Sequence, residues 1–262
     1  MAQPRVLVLR APGTNCDMES CYAFERAGAV AQALHVNRLL ENPRTLREFQ
    51  ILCFAGGFSY GDDLAAGRIL GSQLRIHLGE ALHEFKAAEK LILGICNGFQ
   101  ILMQSDLLLE ERPAADGQLE PIATLTNNDS GRYEDRWVNL RVVGDRCVFF
   151  RGVERLYLPV AHGEGKFFPR DAETGRRLAH AGQLCLRYTT ADGSPAQGFP
   201  DNPNGAWENV AGVCDSTGRV CGLMPHPERH IDRTQHPRWT RPETGPGGEG
   251  LRLFQNAVSY FA

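Results

Sequence analysis

Leu91-Ile92-Leu93-Gly94-Ile95-Cys96-Asn97-Gly98-Phe99-Gln100-Ile101-Leu102 joins a run of strand-like residues to a helical pattern through a single cysteine. An apolar run of strand length passes through Gly-x-Cys-x-Gly directly into a helical pattern, the arrangement of a nucleophile elbow. Gly94 and Gly98 are required there because side chains flanking so tight a bend would collide with the neighbouring strand and helix. Cys96 then stands at a helix N-terminus, whose dipole and free amides favour the thiolate, the species that attacks. A cysteine merely packed into a tight strand-to-helix turn would give the same short pattern, since free cysteine is among the most buried residue types.

On the N-terminal side of this elbow, short apolar runs alternate with helical stretches. Val6 to Leu9, Ala31 to His35 and Ile51 to Phe54 read as strands, and Glu19 to Ala27, Leu39 to Phe49 and Ala65 to Phe85 as helices. That alternation predicts βαβ units around a parallel sheet. Beyond residue 120 the pattern turns strand-like at Trp137 to Val143, Val148 to Phe150, Leu156 to Val160, Leu184 to Thr189 and Val220 to Met224. These are expected to add β-hairpins to the same sheet. Leu251 to Phe261 reads as a closing helix, with Leu253, Phe254, Ala257, Val258 and Phe261 at helical spacing. The expected fold is α/β, a mostly parallel central sheet flanked by helices with added hairpins. Residues 1–262 read as a single domain, and the proline- and glycine-rich stretch from Arg229 to Gly250 as an exposed insertion.

A chain of 262 residues can bury a sizeable core. Its 28 basic and 31 acidic residues, a net charge of -3, give no sign of a nucleic-acid or acidic-lipid surface. No run approaches membrane-spanning length, and the apolar stretch after Arg5 is too short for a signal sequence, so a cytoplasmic location is expected. The 8 cysteines are dispersed, with no Cys-x-x-Cys pair and no cluster at zinc spacing. Seven are therefore expected to be reduced packing residues, and no metal is expected.

A cysteine nucleophile needs a proton carrier, and among the 8 histidines His226 stands apart. His77 and His83 fall in a polar helical stretch and His180 and His236 in expected loops. His226 instead follows the strand Val220 to Met224 and sits in Pro225-His226-Pro227-Glu228, its backbone restricted by proline on both sides. In an extended segment residues i and i+2 face the same side, which would let Glu228 orient the imidazole and stabilise its protonated form. A turn carrying an exposed charge pair is the competing reading. Ile51 to Asp62, with Gly56 and Gly57 after a strand, supplies backbone amides suited to an oxyanion hole, although an ordinary glycine turn would look alike.

These segments resemble the class I, triad-type glutamine amidotransferases, and more narrowly the glutaminase subunits of phosphoribosylformylglycinamidine synthases. The narrower resemblance rests on Gly13-Thr14-Asn15-Cys16-Asp17, Gly56-Gly57-Phe58-Ser59-Tyr60-Gly61-Asp62, His162-Gly163-Glu164-Gly165, Asp201-Asn202-Pro203-Asn204-Gly205 and Met224-Pro225-His226-Pro227-Glu228-Arg229. Ala55 stands where such proteins often have proline, and the Arg229 to Gly250 stretch is longer than in compact members. The resemblance implies Cys96 as nucleophile, His226 as acid/base and Glu228 as its orienter, with the amides of Gly57 and Asn97 as oxyanion donors. It also implies that Gln100 contacts bound glutamine and that His162, Gly163 and Glu164 close over the amino-acid end of the substrate. No cofactor is expected in this chain. ATP and Mg²⁺ belong to a separate synthetase subunit, often accompanied by a small third subunit, which uses the released ammonia to amidate formylglycinamide ribonucleotide.

Three other readings compete. A glutaminase of the same class could serve another synthetase, a stand-alone cysteine hydrolase could act on γ-glutamyl compounds, and a binding module could keep the fold without the chemistry.

Overall fold

The computed structural model describes residues 3–109, 112–113, 119–241 and 247–262. Thirteen strands and six α-helices occur among them, in the order β1 (Arg5–Arg10), α1 (Asp17–Arg26), β2 (Val30–His35), α2 (Val36–Glu41), β3 (Ile51–Phe54), α3 (Arg68–Ala87), β4 (Leu91–Ile95), α4 (Asn97–Gln104), β5 (Arg112–Pro113), β6 (Leu119–Glu120), β7 (Ala123–Thr126), β8 (Glu134–Val142), β9 (Arg155–His162), β10 (Lys166–Pro169), α5 (Ala172–His180), β11 (Leu186–Thr189), β12 (Val210–Cys214), β13 (Val220–Leu223) and α6 (Leu251–Ser259). Nine strands form one sheet in the order β2-β1-β3-β4-β13-β12-β11-β8-β9. From β2 to β13 every pairing is parallel. From β13 to β9 every pairing is antiparallel, so the hairpin-like half extends the parallel half edge to edge, as expected.

The inner parallel strands carry near-continuous apolar runs, whereas the edge strand β2 (VAQALH) is partly exposed. Val6 to Leu9, Ile51 to Phe54 and Leu91 to Ile95 are all buried. Among the described residues no helix is long and apolar enough to cross a membrane.

Two expected elements change identity. The helix expected over Leu39 to Phe49 breaks at Asn42 (φ -145°, ψ 84°), because the proline that follows disfavours helical geometry in the residue before it. Pro43 then opens a separate 3₁₀ turn, Pro43–Glu48. Val148–Phe150, expected as a strand, is a buried 3₁₀ turn, because a short apolar run does not by itself distinguish a strand from a buried turn. The amphipathic α5, capped by the Asp171 carboxylate on the Thr174 amide, falls where no element was expected and places His180 in a helix rather than a loop. The stretch read as an exposed insertion is not uniformly exposed. His230 and Ile231 are buried, and His230 and His236 pack with Trp137 and Tyr157. Residues 242–246 of that stretch lie outside the described residues.

The elbow is seated as the glycine pattern requires. A Cβ at Gly94 would lie 2.5 Å from the carbonyl oxygen of Gly98, and one at Gly98 would collide with the carbonyl oxygen of Phe54. Backbone cannot yield as a flexible side chain can, so Gly98→Ala is expected to lose about 3 kcal/mol or more. Gly79, inside α3 with nothing near its missing Cβ, makes the contrast: Gly79→Ala should gain roughly 1 kcal/mol. Equilibrium urea unfolding of the two variants checks both signs.

Candidate active site

Cys96 occupies the turn between β4 and α4 at φ 51° and ψ -106°, a conformation that a side chain rarely adopts. Its amide donates to the Leu223 carbonyl (2.8 Å), which ties the elbow to β13. Its thiol points toward the Ala161 carbonyl at 3.5 Å, on the edge of a cavity.

β13 runs parallel to β4 and therefore delivers the residues after it to the same end of the sheet. The His226 amide donates to the Pro159 carbonyl at 2.8 Å, fixing the backbone, and the imidazole Nδ1 donates to Glu228 Oε1 at 2.5 Å. The contact arises differently from the extended-strand geometry expected. Pro227 starts a 3₁₀ turn, Pro227–Arg229, that folds the carboxylate back on the ring, and both residues are buried rather than an exposed pair. Nε2 of His226 is buried without a hydrogen-bond partner among the described residues, and the thiols of Cys96 and Cys16 lie against the same ring. Burial works against charge on this imidazole, but the Glu228 carboxylate and the two sulfurs outweigh it and hold its pKa well above 6.5.

Two connected hollows meet at Cys96. The larger, about 130 Å³, is lined by Gly57, Gln100, His162, Gly163 and Glu164 among others, so all four expected substrate-contacting residues are gathered around one space. The smaller, about 50 Å³, lies between Cys16, Gly57, Cys96, His226 and Arg229. Phe58 and Tyr133 face both hollows and remain partly exposed, their rings 6.2 Å apart. Asn97, the first residue of α4, has an amide of the kind that lacks an intrahelical partner. Its side chain is buried and holds the opposite wall, accepting from Ser59 N (3.2 Å) and donating to Asp62 Oδ1 (3.1 Å) and Gln100 Oε1 (2.9 Å). Gln100 Nε2 in turn donates to the Glu164 carbonyl at 2.6 Å.

Several residues beyond the expected set shape this site. Cys16 Sγ accepts from Arg229 Nη2 at 3.1 Å, and Arg229 Nε donates to Glu19 Oε1 at 3.0 Å. Burial pushes the Cys16 thiol up to about 11. Cys16 and Arg229 fall inside motifs already quoted, but nothing in their spacing showed that they meet. Asn128 carried no signal at all. It donates to the His162 carbonyl (2.8 Å) and accepts from Gly165 N (3.2 Å), while Asn204 of the Asn-Pro-Asn-Gly segment donates to the Gly165 carbonyl (2.8 Å). Two buried asparagines thus hold the 162–165 loop from beneath.

The chain's sequence matches the CobB/CobQ-like glutamine amidotransferase domain family over residues 3–261. It is 47% identical to the phosphoribosylformylglycinamidine synthase subunit PurQ of Dehalococcoides mccartyi, over 99% of this chain and 98% of that one. The chain belongs to the PurQ family of glutamine amidotransferases. The corresponding subunit of Methanococcus maripaludis is 39% identical over 98% of this chain and 97% of its own. Among solved structures, PurLQS from Thermotoga maritima contains a chain that superposes with a TM-score of 0.74 at 29% identity, covering all of both chains. Membership explains why the segments quoted from the sequence converge on one end of the sheet.

His162 supplies a pH test of this arrangement. Its Nδ1 donates to Asn128 Oδ1 at 3.1 Å, and burial, with the nearby His226, lowers its pKa from 6.5 to about 3. Between those values the unfolded chain binds a proton that the folded chain refuses, so this contribution to stability is full above 6.5 and is lost as pH falls toward 3. His162→Asn should flatten that acid-side decline. Urea unfolding of both proteins at about pH 7 and about pH 5 measures the difference.

Proposed function

We propose that this chain is the glutamine-hydrolysing subunit of a phosphoribosylformylglycinamidine synthase, with Cys96, His226 and Glu228 as its catalytic triad. The observation that carries the reading is the convergence of the strained Cys96 elbow and the buried His226–Glu228 pair on one cavity, in a chain of the PurQ family. The Cys96 thiolate attacks the side-chain amide carbon of glutamine, and the amides of Gly57 and Asn97 stabilise the oxyanion. His226 protonates the departing nitrogen, and ammonia leaves. Water then enters, His226 takes its proton, and the γ-glutamyl thioester is hydrolysed to glutamate.

Glu228 has a definite task in this scheme. Hydrogen-bonded to Nδ1, it leaves Nε2 to face the reacting atoms and offsets the imidazolium charge of a buried ring. Gln100 and the 162–165 loop, gathered around the larger hollow, hold the amino-acid end of glutamine.

The solved PurLQS assembly supports a multisubunit setting. In this reading a synthetase subunit uses ATP and Mg²⁺ to activate formylglycinamide ribonucleotide, a small third subunit completes the complex, and this chain supplies ammonia. Free ammonia would escape or be protonated, so hydrolysis by the isolated chain is expected to be slow and strongly stimulated by the partner.

Reconstituting the complex with Cys96→Ala, and giving it glutamine or ammonia as nitrogen donor, tests the assignment. Glutamine-dependent synthesis should fall on the order of a thousandfold or more while ammonia-dependent synthesis persists. Survival of the glutamine reaction would sink the proposal. Glu228→Gln, which keeps the shape and removes the charge, should reduce glutamine-dependent turnover by about a hundredfold, again sparing ammonia.

A further inference from the structure

Four of the cysteines that the sequence scatters are brought together by the antiparallel half of the sheet. Cys214 ends β12 and stands directly opposite Cys221 of β13 in the ladder, so both side chains project from the same face. Cys185 immediately precedes β11, where its carbonyl accepts from Val143 N at 2.9 Å. Cys147 leads into the Val148–Phe150 turn, which is pinned to the β12–β13 turn by a hydrogen bond from Val148 N to the Gly218 carbonyl (2.9 Å). All four are buried, none more than 2% exposed.

The sulfurs of Cys147, Cys185 and Cys214 all lie within 4.8 Å of one another. Tetrahedral zinc, with its zinc–sulfur bonds of about 2.3 Å, needs sulfurs about 3.8 Å apart, so only small adjustments of side-chain rotamers separate this arrangement from a coordination shell. The Cys221 thiol lies against those of Cys147 and Cys185 but is not within 4.8 Å of all three sulfurs, so it joins as fourth donor only by turning toward Cys214. Asp215, the nearest carboxylate along the chain, is already committed: its oxygens accept from the amides of Arg219 and Val220 and pair with Lys86 at 3.4 Å. The donor set is therefore all sulfur, which selects a thiophilic divalent ion over calcium or magnesium.

We propose that Cys147, Cys185, Cys214 and Cys221 form a structural zinc site of the Cys₄ type. On binding, four thiols give up their protons, four zinc–sulfur bonds form, and no electron is transferred. The ion would link the loop after β8 to β11, β12 and β13, the strand whose next residues carry His226. Its role is to brace the strands, and it takes no part in hydrolysis.

The full-length protein, purified after zinc-replete expression and extensive dialysis, should carry about one zinc per chain by mass-spectrometric elemental analysis. Cobalt exchanged into it should show a sulfur-to-cobalt charge-transfer band with tetrahedral d–d absorption. Cys185→Ser should lower the zinc content about tenfold, whereas Cys21→Ser, on α1 away from the cluster, should leave it unchanged. Less than about a tenth of a zinc per wild-type chain, together with no cobalt band, overturns the proposal whatever the variants do. So does a denatured-state thiol count below eight, which would mean disulfides, or a brown chromophore with iron and sulfide. Zinc retained in Cys185→Ser but lost in Cys16→Ser would place the ion instead on Cys16, Glu19, His226 and Glu228, whose donor atoms also lie within 4.8 Å of one another.

Discussion

The site depends on how closely α4 is allowed to approach the sheet. With no side chain at Gly94 or Gly98, the helix settles until its first turn touches the Phe54 carbonyl and the end of β4. That approach leaves Cys96 no ordinary conformation, and at φ 51° it carries strain of roughly 1–3 kcal/mol. The cost is tolerated because the neighbours over-determine it: the Cys96 amide is bonded to Leu223, and Phe99, Ile101 and Leu102 are buried immediately after it. A thiol is thereby held out at the edge of the cavity on a rigid support instead of on a loop.

Around this fixed point the charges are arranged in matched groups. The buried imidazole and carboxylate of His226 and Glu228 compensate each other, and Arg229 is balanced by Glu19. His162, only a short way off, is kept neutral by burial and by the nearby His226. One imidazole is thus held toward its charged form and the other toward its neutral form, although they share the same end of the sheet. Environment separates them, as local pKa tuning requires.

How much of this was legible in the sequence differs from residue to residue. The parallel strands, the elbow and the closing helix announce themselves through apolar runs and periodicity, and β4 begins and ends where its residues suggested. The Pro-His-Pro-Glu segment marked its own histidine, although the turn that brings Glu228 to it was not foreseen because Pro227 permits either extended or 3₁₀ backbone. Asn128 and the meeting of Cys16 with Arg229 were invisible, since a buried amide and a long-range sulfur contact leave no local pattern. The four converging cysteines are the strongest case. Ligands borne on neighbouring strands need no fixed spacing in sequence, so a search for paired Cys-x-x-Cys motifs passes over them.

The parallel pairing of β4 with β13 joins residues 91–95 to residues 220–223, with the whole antiparallel half of the sheet lying between them in the chain. Loop closure over such a span is entropically costly, so this contact forms only after much else has folded. During synthesis the cysteine of the elbow leaves the ribosome long before its histidine exists. A partly made chain therefore contains a helix-seated thiol without the imidazole that faces it in the finished fold, and the proposed chemistry becomes available only when the fold is complete.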